Sequence, residues 1–187
     1  MYRLAIFASG SGSNAENIIR HFQGNERIQV VAIFTDKADA YVLKRAENLN
    51  IPAFVFSLSE LKDVNGVSKE LESLQINFIV LAGFLRLIPA HLIKNFENRI
   101  VNIHPALLPK FGGKGMHGMH VHESVKAAGE KETGITIHYV NENYDEGAII
   151  FQAKVAVEEN DTPLTIAEKV HELEYKHFPE VIEKLLS

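Results

Sequence analysis

The chain of 187 residues contains no cysteine. Disulfides, thiolate metal sites and cysteine nucleophiles are therefore excluded, and any chemistry must come from other side chains. Long apolar runs are also lacking: the stretch at residues 4–8 ends at once in serine and glycine, far short of the roughly 20 residues that span a bilayer. It also lacks the length of a signal-peptide core. These absences predict a cytoplasmic protein without a membrane partner.

Positive charge is scarce as well. The chain has 19 Lys and Arg against 24 Asp and Glu, a formal net charge of -5. Long polyanions bind to clustered positive charge, so this balance argues against a nucleic-acid partner. With 46% hydrophobic and 23% charged residues, the composition is that of an ordinary globular protein. The length fits one domain over residues 1–187.

Short apolar runs alternate with helical stretches through the first hundred residues. The runs predict five strands, at residues 4–8, 28–34, 53–56, 78–82 and 99–103. This alternation predicts an α/β, Rossmann-like fold with a mostly parallel central sheet, helices on its faces and right-handed crossovers. We expect a nucleotide-binding half over about residues 1–100.

The pattern changes in the second half of the chain. Residues 105–121 are rich in glycine, proline and histidine and predict a long irregular loop, a length that usually has a function in compact domains. Further elements are expected as helices at 122–128 and 163–186 and strands at 134–140 and 148–157. The two strands predict an antiparallel C-terminal extension of the sheet. The catalytic half is expected over about residues 101–187.

The fifth predicted strand ends in Asn102, His104 and Pro105. The carboxyl ends of strands in an open α/β sheet face the ligand crevice, and Pro105 should end this strand there. Asn102 and His104 are two residues apart, which on a strand points both side chains to one face. An amide donor beside a titratable ring favours acyl transfer to an amine, because it can stabilise an oxyanion while the histidine moves a proton. The structural alternative is that Asn102 satisfies a strand end and His104 caps a loop.

A glycine-rich stretch, Ser9-Gly10-Ser11-Gly12-Ser13-Asn14, follows the first predicted strand. Glycines let the backbone approach a phosphate, and the first amides of a following helix favour an anion. The pattern also fits a loose dinucleotide fingerprint, with Asp36 placed to hold a ribose hydroxyl. A phosphate site, an NAD-binding module and a tight turn capped by Ser13 are therefore the alternatives here.

Two further features of the sequence contain residue types that are used in catalysis or in metal binding. Asp145 can orient a histidine and raise its pKa, although aspartate is common in turns for conformational reasons alone. The loop holds His117, His120 and His122, but no carboxylate or cysteine completes a tight ligand set, so we expect no metal.

Five motifs in order resemble the folate-dependent formyltransferase family, over essentially the whole chain. They are Ser9-Gly10-Ser11-Gly12-Ser13-Asn14, Asp36-Lys37-Ala38-Asp39-Ala40, Leu81-Ala82-Gly83-Phe84-Leu85-Arg86, Asn102-Ile103-His104-Pro105-Ala106-Leu107-Leu108-Pro109 and Asp145-Glu146-Gly147-Ala148-Ile149-Ile150-Phe151-Gln152. The resemblance implies transfer of a formyl group from 10-formyltetrahydrofolate, as co-substrate, to the amine of glycinamide ribonucleotide in purine synthesis. It implies direct attack through a tetrahedral intermediate, without a covalent enzyme intermediate or a metal.

The resemblance also assigns roles to individual residues. The family's catalytic asparagine, histidine and aspartate match Asn102, His104 and Asp145. Its binding residues for the amine substrate match Gly12, Ser13, Asn14, His171 and Glu174. Its folate pocket matches Leu85, Arg86, Ile88, Ile93, Val140 and Tyr144. We expect Asp145 to keep His104 protonated while Asn102 holds the oxyanion.

The loop after Pro109 is longer than the family's common loop, and we expect it to close over the ligands. Branches of the family that formylate methionyl-tRNA or hydrolyse formyltetrahydrofolate have an additional domain. We expect neither activity here, because the chain fits a single domain and its net charge disfavours tRNA. The expected assembly is a monomer or a homodimer that acts on small molecules.

Overall fold

The computed structural model describes all residues from 1 to 187. Its strands are β1 (Tyr2–Phe7), β2 (Ile28–Thr35), β3 (Ala53–Val55), β4 (Phe78–Leu81), β5 (Ile100–His104), β6 (Glu132–Tyr139) and β7 (Ile149–Ala156). They form one seven-stranded sheet in the order β3-β2-β1-β4-β5-β6-β7. The first five strands pair in parallel, whereas β6 and β7 are antiparallel to their neighbours. The predicted fold class, including the antiparallel C-terminal extension, is confirmed.

Seven helices flank the sheet. They are α1 (Ser13–His21), α2 (Val42–Asn48), α3 (Leu58–Lys62), α4 (Val67–Ser73), α5 (Ala90–Asn95), α6 (Met119–Ala127) and α7 (Pro163–Leu185). None of them combines the length and the apolar character needed to cross a membrane. The sequence patterns did not predict α3, although Ser57 and Glu60 form a capping box at its start. The capping box is visible in the sequence, but it lies in a polar stretch without the apolar periodicity that predicts a helix.

Two apolar cores lie on the two faces of the sheet. Leu4 and Ile6 of β1 pack into one core with α1, α6 and α7, whereas Ala5 and Phe7 pack into the other with α3, α4 and α5. Side chains of a strand alternate between its faces, so β1 and its neighbours are covered on both sides. This burial explains the continuous apolar runs by which the sequence predicts the strands.

The site is positioned by the order of the strands. Strand β1 lies between β2 and β4, so the direction in which the chain adds strands reverses at β1. Phe7 pairs with Leu81, and Leu81 pairs with Asn102, which brings the carboxyl ends of β1, β4 and β5 to one edge. Strand β5 ends at His104, directly before Pro105, as predicted. Ligands of open α/β sheets bind at such a switch point.

Candidate active site

A cavity of about 680 Å³ lies at this edge of the sheet. It is bounded by the loops after β1 and β4, the long loop between β5 and α6, the turn between β6 and β7, and one face of α7. Ten of the predicted site residues line it: Gly12, Ser13, Asn14, Leu85, Asn102, His104, Tyr144, Asp145, His171 and Glu174. Residues far apart in the sequence therefore meet in one place.

The glycine-rich loop between β1 and α1 has a backbone that only glycine fits at Gly12. Its φ is 71°, and an added Cβ would lie 2.3 Å from Val42 Cγ2. The loop is held from α2, because Val42 N donates to Gly10 O at 3.1 Å and Arg45 Nε donates to Ser11 O at 2.7 Å. The loop is therefore fixed before any ligand arrives.

Helix α1 begins without a side-chain cap. Its N-cap residue is Gly12, and Ser13 makes no capping hydrogen bond, which removes the alternative of a turn capped by Ser13. The amides of Ser13, Asn14 and Ala15 donate to no protein acceptor. Free amides at the positive end of a helix bind phosphate, so this loop has the chemistry of a phosphate site.

The catalytic candidates form what we call the strand-end corner: Asn102, His104, His138 and Asp145. Asn102 pairs with His138 across β5 and β6, and its Nδ2 lies 3.1 Å from His138 Nε2. His138 Nδ1 lies 2.8 Å from Tyr139 O, and because a carbonyl only accepts, Nδ1 has the hydrogen. In the neutral ring, Nε2 therefore accepts from Asn102 and holds the orientation of the amide, and the same nitrogen lies 3.6 Å from Asp145 Oδ1.

Asp145 reaches the corner from the turn between β6 and β7. Its φ of 57° is left-handed, a conformation that aspartate tolerates better than most residues. Oδ2 accepts from Gly113 N at 3.0 Å and lies 3.5 Å from His104 Nδ1, whereas Oδ1 lies 3.5 Å from Asn102 Nδ2. Burial raises the pKa of Asp145, but His138, His104 and the Gly113 N–H together lower it below its usual range. Asp145 is therefore an anion in the corner.

His104 differs from the expectation. Nε2 donates to Phe111 O at 2.7 Å, while Nδ1 faces Asp145 at a distance longer than a good hydrogen bond. Two acceptors would favour a protonated ring, but burial lowers the pKa of His104 more than Asp145 raises it. This balance favours the neutral ring and does not support the expectation that Asp145 keeps His104 protonated.

Sequence reasoning missed His138. It lies on β6 among buried apolar residues and is itself only 2% exposed. The only available signal was a histidine inside a predicted apolar strand. Its placement beside Asn102 depends on the register of β6 against β5, and the loop and helix between these strands do not reveal that register.

Four further lining residues, which we call the helix wall, come from α1, α6 and α7: Asn14, His122, His171 and Glu174. Glu174 is 5% exposed, and its Oε2 accepts from Asn14 Nδ2 at 2.8 Å. Burial raises the pKa of Glu174, although Asn14 and His171 oppose this effect. His122 is also buried, and burial together with the nearby His171 and His104 lowers its pKa to about 4. The wall therefore holds a carboxyl that resists ionisation and a neutral histidine.

The NAD-binding alternative depends on Asp36. Its Oδ1 accepts from Ser9 Oγ at 2.6 Å, and its Oδ2 accepts from Arg86 Nε at 2.7 Å. The side chain of Asp36 is 3% exposed. Because both oxygens are engaged inside the protein, Asp36 does not present an acceptor to a ribose hydroxyl, and this geometry argues against a dinucleotide site.

The predicted folate residues divide into two groups. Leu85 and Tyr144 line the cavity, whereas Arg86, Ile88, Ile93 and Val140 do not. Ile88 is buried in the second core, and Ile93 and Val140 pack against it. Arg86 is paired with Asp36. The roles of all six in folate binding stay predictions.

The histidine-rich loop offers no metal centre in this structure. No group of three His, Cys, Asp or Glu side chains is arranged to hold an ion. His117 and His122 line the cavity, and His120 is exposed on α6 beside Glu123. The three histidines therefore do not form a common site.

A phosphate loop beside an asparagine, a histidine and an aspartate, on a Rossmann-like sheet, defines a class of group-transfer enzyme. The model of the formyl transferase family matches residues 2–182, and the chain belongs to that family. Family membership implies a formyl donor derived from folate.

Several members of this family to which the chain is similar are named phosphoribosylglycinamide formyltransferase. The chloroplastic phosphoribosylglycinamide formyltransferase of Arabidopsis thaliana is 41% identical over 186 residues, which cover 96% of this chain and 64% of that protein. The chain thus spans less than two thirds of this plant relative. The phosphoribosylglycinamide formyltransferase of Bacillus subtilis is 38% identical, over 100% of this chain and 95% of that protein. The crystal structure of the Bacillus halodurans enzyme of this name superposes with a TM-score of 0.88 at 41% identity, covering 99% and 95% of the two chains.

Proposed function

We propose that this protein transfers the formyl group of 10-formyltetrahydrofolate to the amine of glycinamide ribonucleotide, a step of purine synthesis. The observation that supports this most directly is the meeting of a phosphate loop with the strand-end corner in one cavity. The substrate has a phosphate at one end and an amine at the other, and the cavity offers a matching group for each. The names of the full-length bacterial relatives support the same substrate.

The phosphate of the amine substrate would bind to the free amides of Ser13 and Asn14 behind Gly12. Glu174 and His171 would contact the remainder of the ribonucleotide on the helix wall. The donor would bind along Leu85 and Tyr144, with Arg86, Ile88, Ile93 and Val140 as the further folate residues that the family resemblance implies. This division agrees with the proposed nucleotide-binding half, residues 1–100, only in part, because Glu174 and His171 come from the last helix.

In the proposed reaction the amine attacks the formyl carbon and a tetrahedral oxyanion forms. One N–H of Asn102 is bonded to His138. The other points to the side where Nδ2 lies 3.5 Å from Asp145 Oδ1, and it is left to donate to the oxyanion. The neutral His104 ring has its lone pair on Nδ1, which can accept the proton that the amine loses. Asp145, 3.5 Å away, then stabilises the resulting imidazolium. When the oxyanion collapses, the bond between the formyl carbon and N10 of the folate breaks. The imidazolium returns its proton to N10, so that tetrahydrofolate leaves and the formyl group stays on the amine.

All the chemistry in this proposal is supplied by side chains and by the folate co-substrate, and no metal takes part. We propose small molecules as its only substrates, without a nucleic-acid or membrane partner, and we place the reaction in the cytoplasm. A monomer or a homodimer would be sufficient, because every group used here belongs to one chain.

The test is an absorbance assay that follows loss of the formylfolate when glycinamide ribonucleotide is added to the purified protein. We expect turnover that depends on both compounds and persists in EDTA. NADH fluorescence should not change on titration with the protein. A folded protein that gives no turnover with this amine would contradict the proposed function, and strong inhibition by EDTA would contradict the absence of a metal.

A further inference from the structure

The connection between β4 and α5 is unusually poor in backbone hydrogen bonds. Between residues 84 and 88 no backbone group bonds to another backbone group. Phe84 and Ile88 anchor the segment, because both are buried in the second core. Between them, Leu85 is 36% exposed and the side chain of Arg86 is 46% exposed. Since Leu85 lines the cavity, the position of this segment shapes the site.

Two polar contacts hold the segment, and both lead to Asp36. Arg86 Nε donates to Asp36 Oδ2 at 2.7 Å, and Leu85 N donates to Ser9 Oγ at 3.1 Å. The Ser9 hydroxyl has a single hydrogen, which it donates to Asp36 Oδ1 at 2.6 Å. Its lone pair is therefore left facing the Leu85 amide, so Asp36 orients the acceptor of one contact and is itself the acceptor of the other.

We propose that Asp36 is a positioning residue for the formyl donor, since it fixes Leu85 and Arg86 at the side of the cavity where the donor binds. This inference rests on the proposed function. It gives a role to a buried carboxylate that the reaction itself does not use. Burial opposes its ionisation, but Ser9 and Arg86 hold the pKa of Asp36 below its usual range, so the link is charge-assisted.

The phosphate loop does not depend on this link. Ser9 N donates to Gly83 O at 3.0 Å, and Ala8 N donates to Phe34 O at 3.0 Å, so the backbone before the loop is held independently of Asp36. Loss of the carboxylate should therefore affect the donor side of the cavity and leave the phosphate side in place. This asymmetry distinguishes positioning from general destabilisation.

The first test is Asp36→Asn, which keeps the shape but replaces one acceptor oxygen by a donor. We expect the KM for 10-formyltetrahydrofolate to rise about tenfold, which corresponds to about 1.4 kcal/mol and is close to the cost of one hydrogen bond to a charged group. The KM for glycinamide ribonucleotide and kcat should stay within about twofold. Ser9→Ala removes the acceptor for the Leu85 amide and should shift the same constant in the same direction, which keeps the test decisive if one variant does not fold.

Asp161→Asn is the matched control. Asp161 is likewise a buried carboxylate between a hydroxyl and a cation, Thr165 Oγ1 at 2.8 Å and Lys169 Nζ at 2.6 Å, but it does not line the cavity. We expect a lower Tm and unchanged KM values.

The affinity for the donor is also measured directly, as the Kd of 10-formyl-5,8-dideazafolate by calorimetry. An unchanged Kd and donor KM in both Asp36→Asn and Ser9→Ala would overturn the inference, as would equal increases in the KM of both substrates. A wild type that binds this probe without transferring a formyl group would contradict the proposed function alone, and the Kd comparison would still decide the role of Asp36.

Discussion

The strand-end corner and the helix wall contribute to one cavity, yet their polar groups differ in whether they have partners inside the protein. Five buried side-chain polar atoms in the protein have no hydrogen-bond partner, and two of them, Asn14 Oδ1 and His122 Nδ1, belong to the wall. None belongs to the corner. The two buried carboxylates differ likewise, because the pKa of Asp145 is lowered and that of Glu174 is raised.

This difference between the two groups of residues corresponds to two functions, transition-state stabilisation and substrate binding. Groups that stabilise a transition state must already be oriented when charge develops, and the hydrogen bonds around Asn102 and Asp145 provide this order in the free protein. Groups that bind a substrate gain from partners that only the ligand supplies, and a buried polar atom without a partner is destabilising until then. The comparison predicts that substitutions in the corner lower kcat, whereas substitutions in the wall change KM and stability.

The largest expected effect is that of His104→Ala. It removes the ring that accepts the proton of the amine, so kcat should fall by about a hundredfold or more. His171→Ala, on the wall, is the matched control, and it should raise the KM for glycinamide ribonucleotide while kcat changes less than about threefold. Steady-state kinetics with both substrates varied would check this. Near-normal turnover of His104→Ala would show that the strand-end corner does not accept the proton of the amine.

The sequence predicts one side of this comparison better than the other. The two-residue spacing of Asn102 and His104 and the stop at Pro105 are local properties of a strand, so they could be predicted from the residues alone. Asp145 looks like an ordinary turn residue, and only the family resemblance connects it with His104. His138 depends on strand register, which is set by tertiary closure rather than by a local pattern.

The partner of the buried carboxylate of Asp36 was equally hidden from the sequence. Asp36 and Arg86 are 50 positions apart, and nothing local to either residue reveals the pairing. The prediction of the strands succeeded for the opposite reason, since a strand covered on both faces is apolar throughout its length.

The next effect concerns Glu174→Gln. Replacement of one carboxyl oxygen should raise the KM for glycinamide ribonucleotide about tenfold, close to the cost of one lost hydrogen bond. The same variant should be more stable than wild type at pH 8. The pKa of Glu174 is raised in the folded state, so its favourable contribution is complete below about 4.5 and is lost as the pH rises through the folded-state pKa.

Thermal melts of the wild type and of Glu174→Gln, each at pH 4 and at pH 8, would measure this difference in stability. The gain in Tm should be present at pH 8 and absent at pH 4. An equal gain at both values would indicate a packing effect instead of relief of a buried charge.

The smallest effect is expected at His122. Its pKa of about 4 lies below the unperturbed 6.5, so the folded state binds this proton more weakly than the unfolded state does. The stability contributed by the neutral ring is therefore complete above pH 6.5 and is lost as the pH falls through about 4. In His122→Gln, the fall in Tm between pH 7 and pH 4 should be smaller by several degrees, since each kcal/mol shifts the Tm of a domain of this size by about 2–4 °C.

His120→Gln provides the control for this acid response, because His120 lies on the same helix with its side chain 63% exposed. In His120→Gln, the fall in Tm between pH 7 and pH 4 should equal that of the wild type. Imidazole NMR signals of the wild type give the direct measurement, in which the His122 ring should stay neutral until the pH approaches 4. A ring that titrates near 6.5 would mean that this part of the helix wall is open to water in solution, and the contrast with the strand-end corner would then be limited to Glu174 and Asn14.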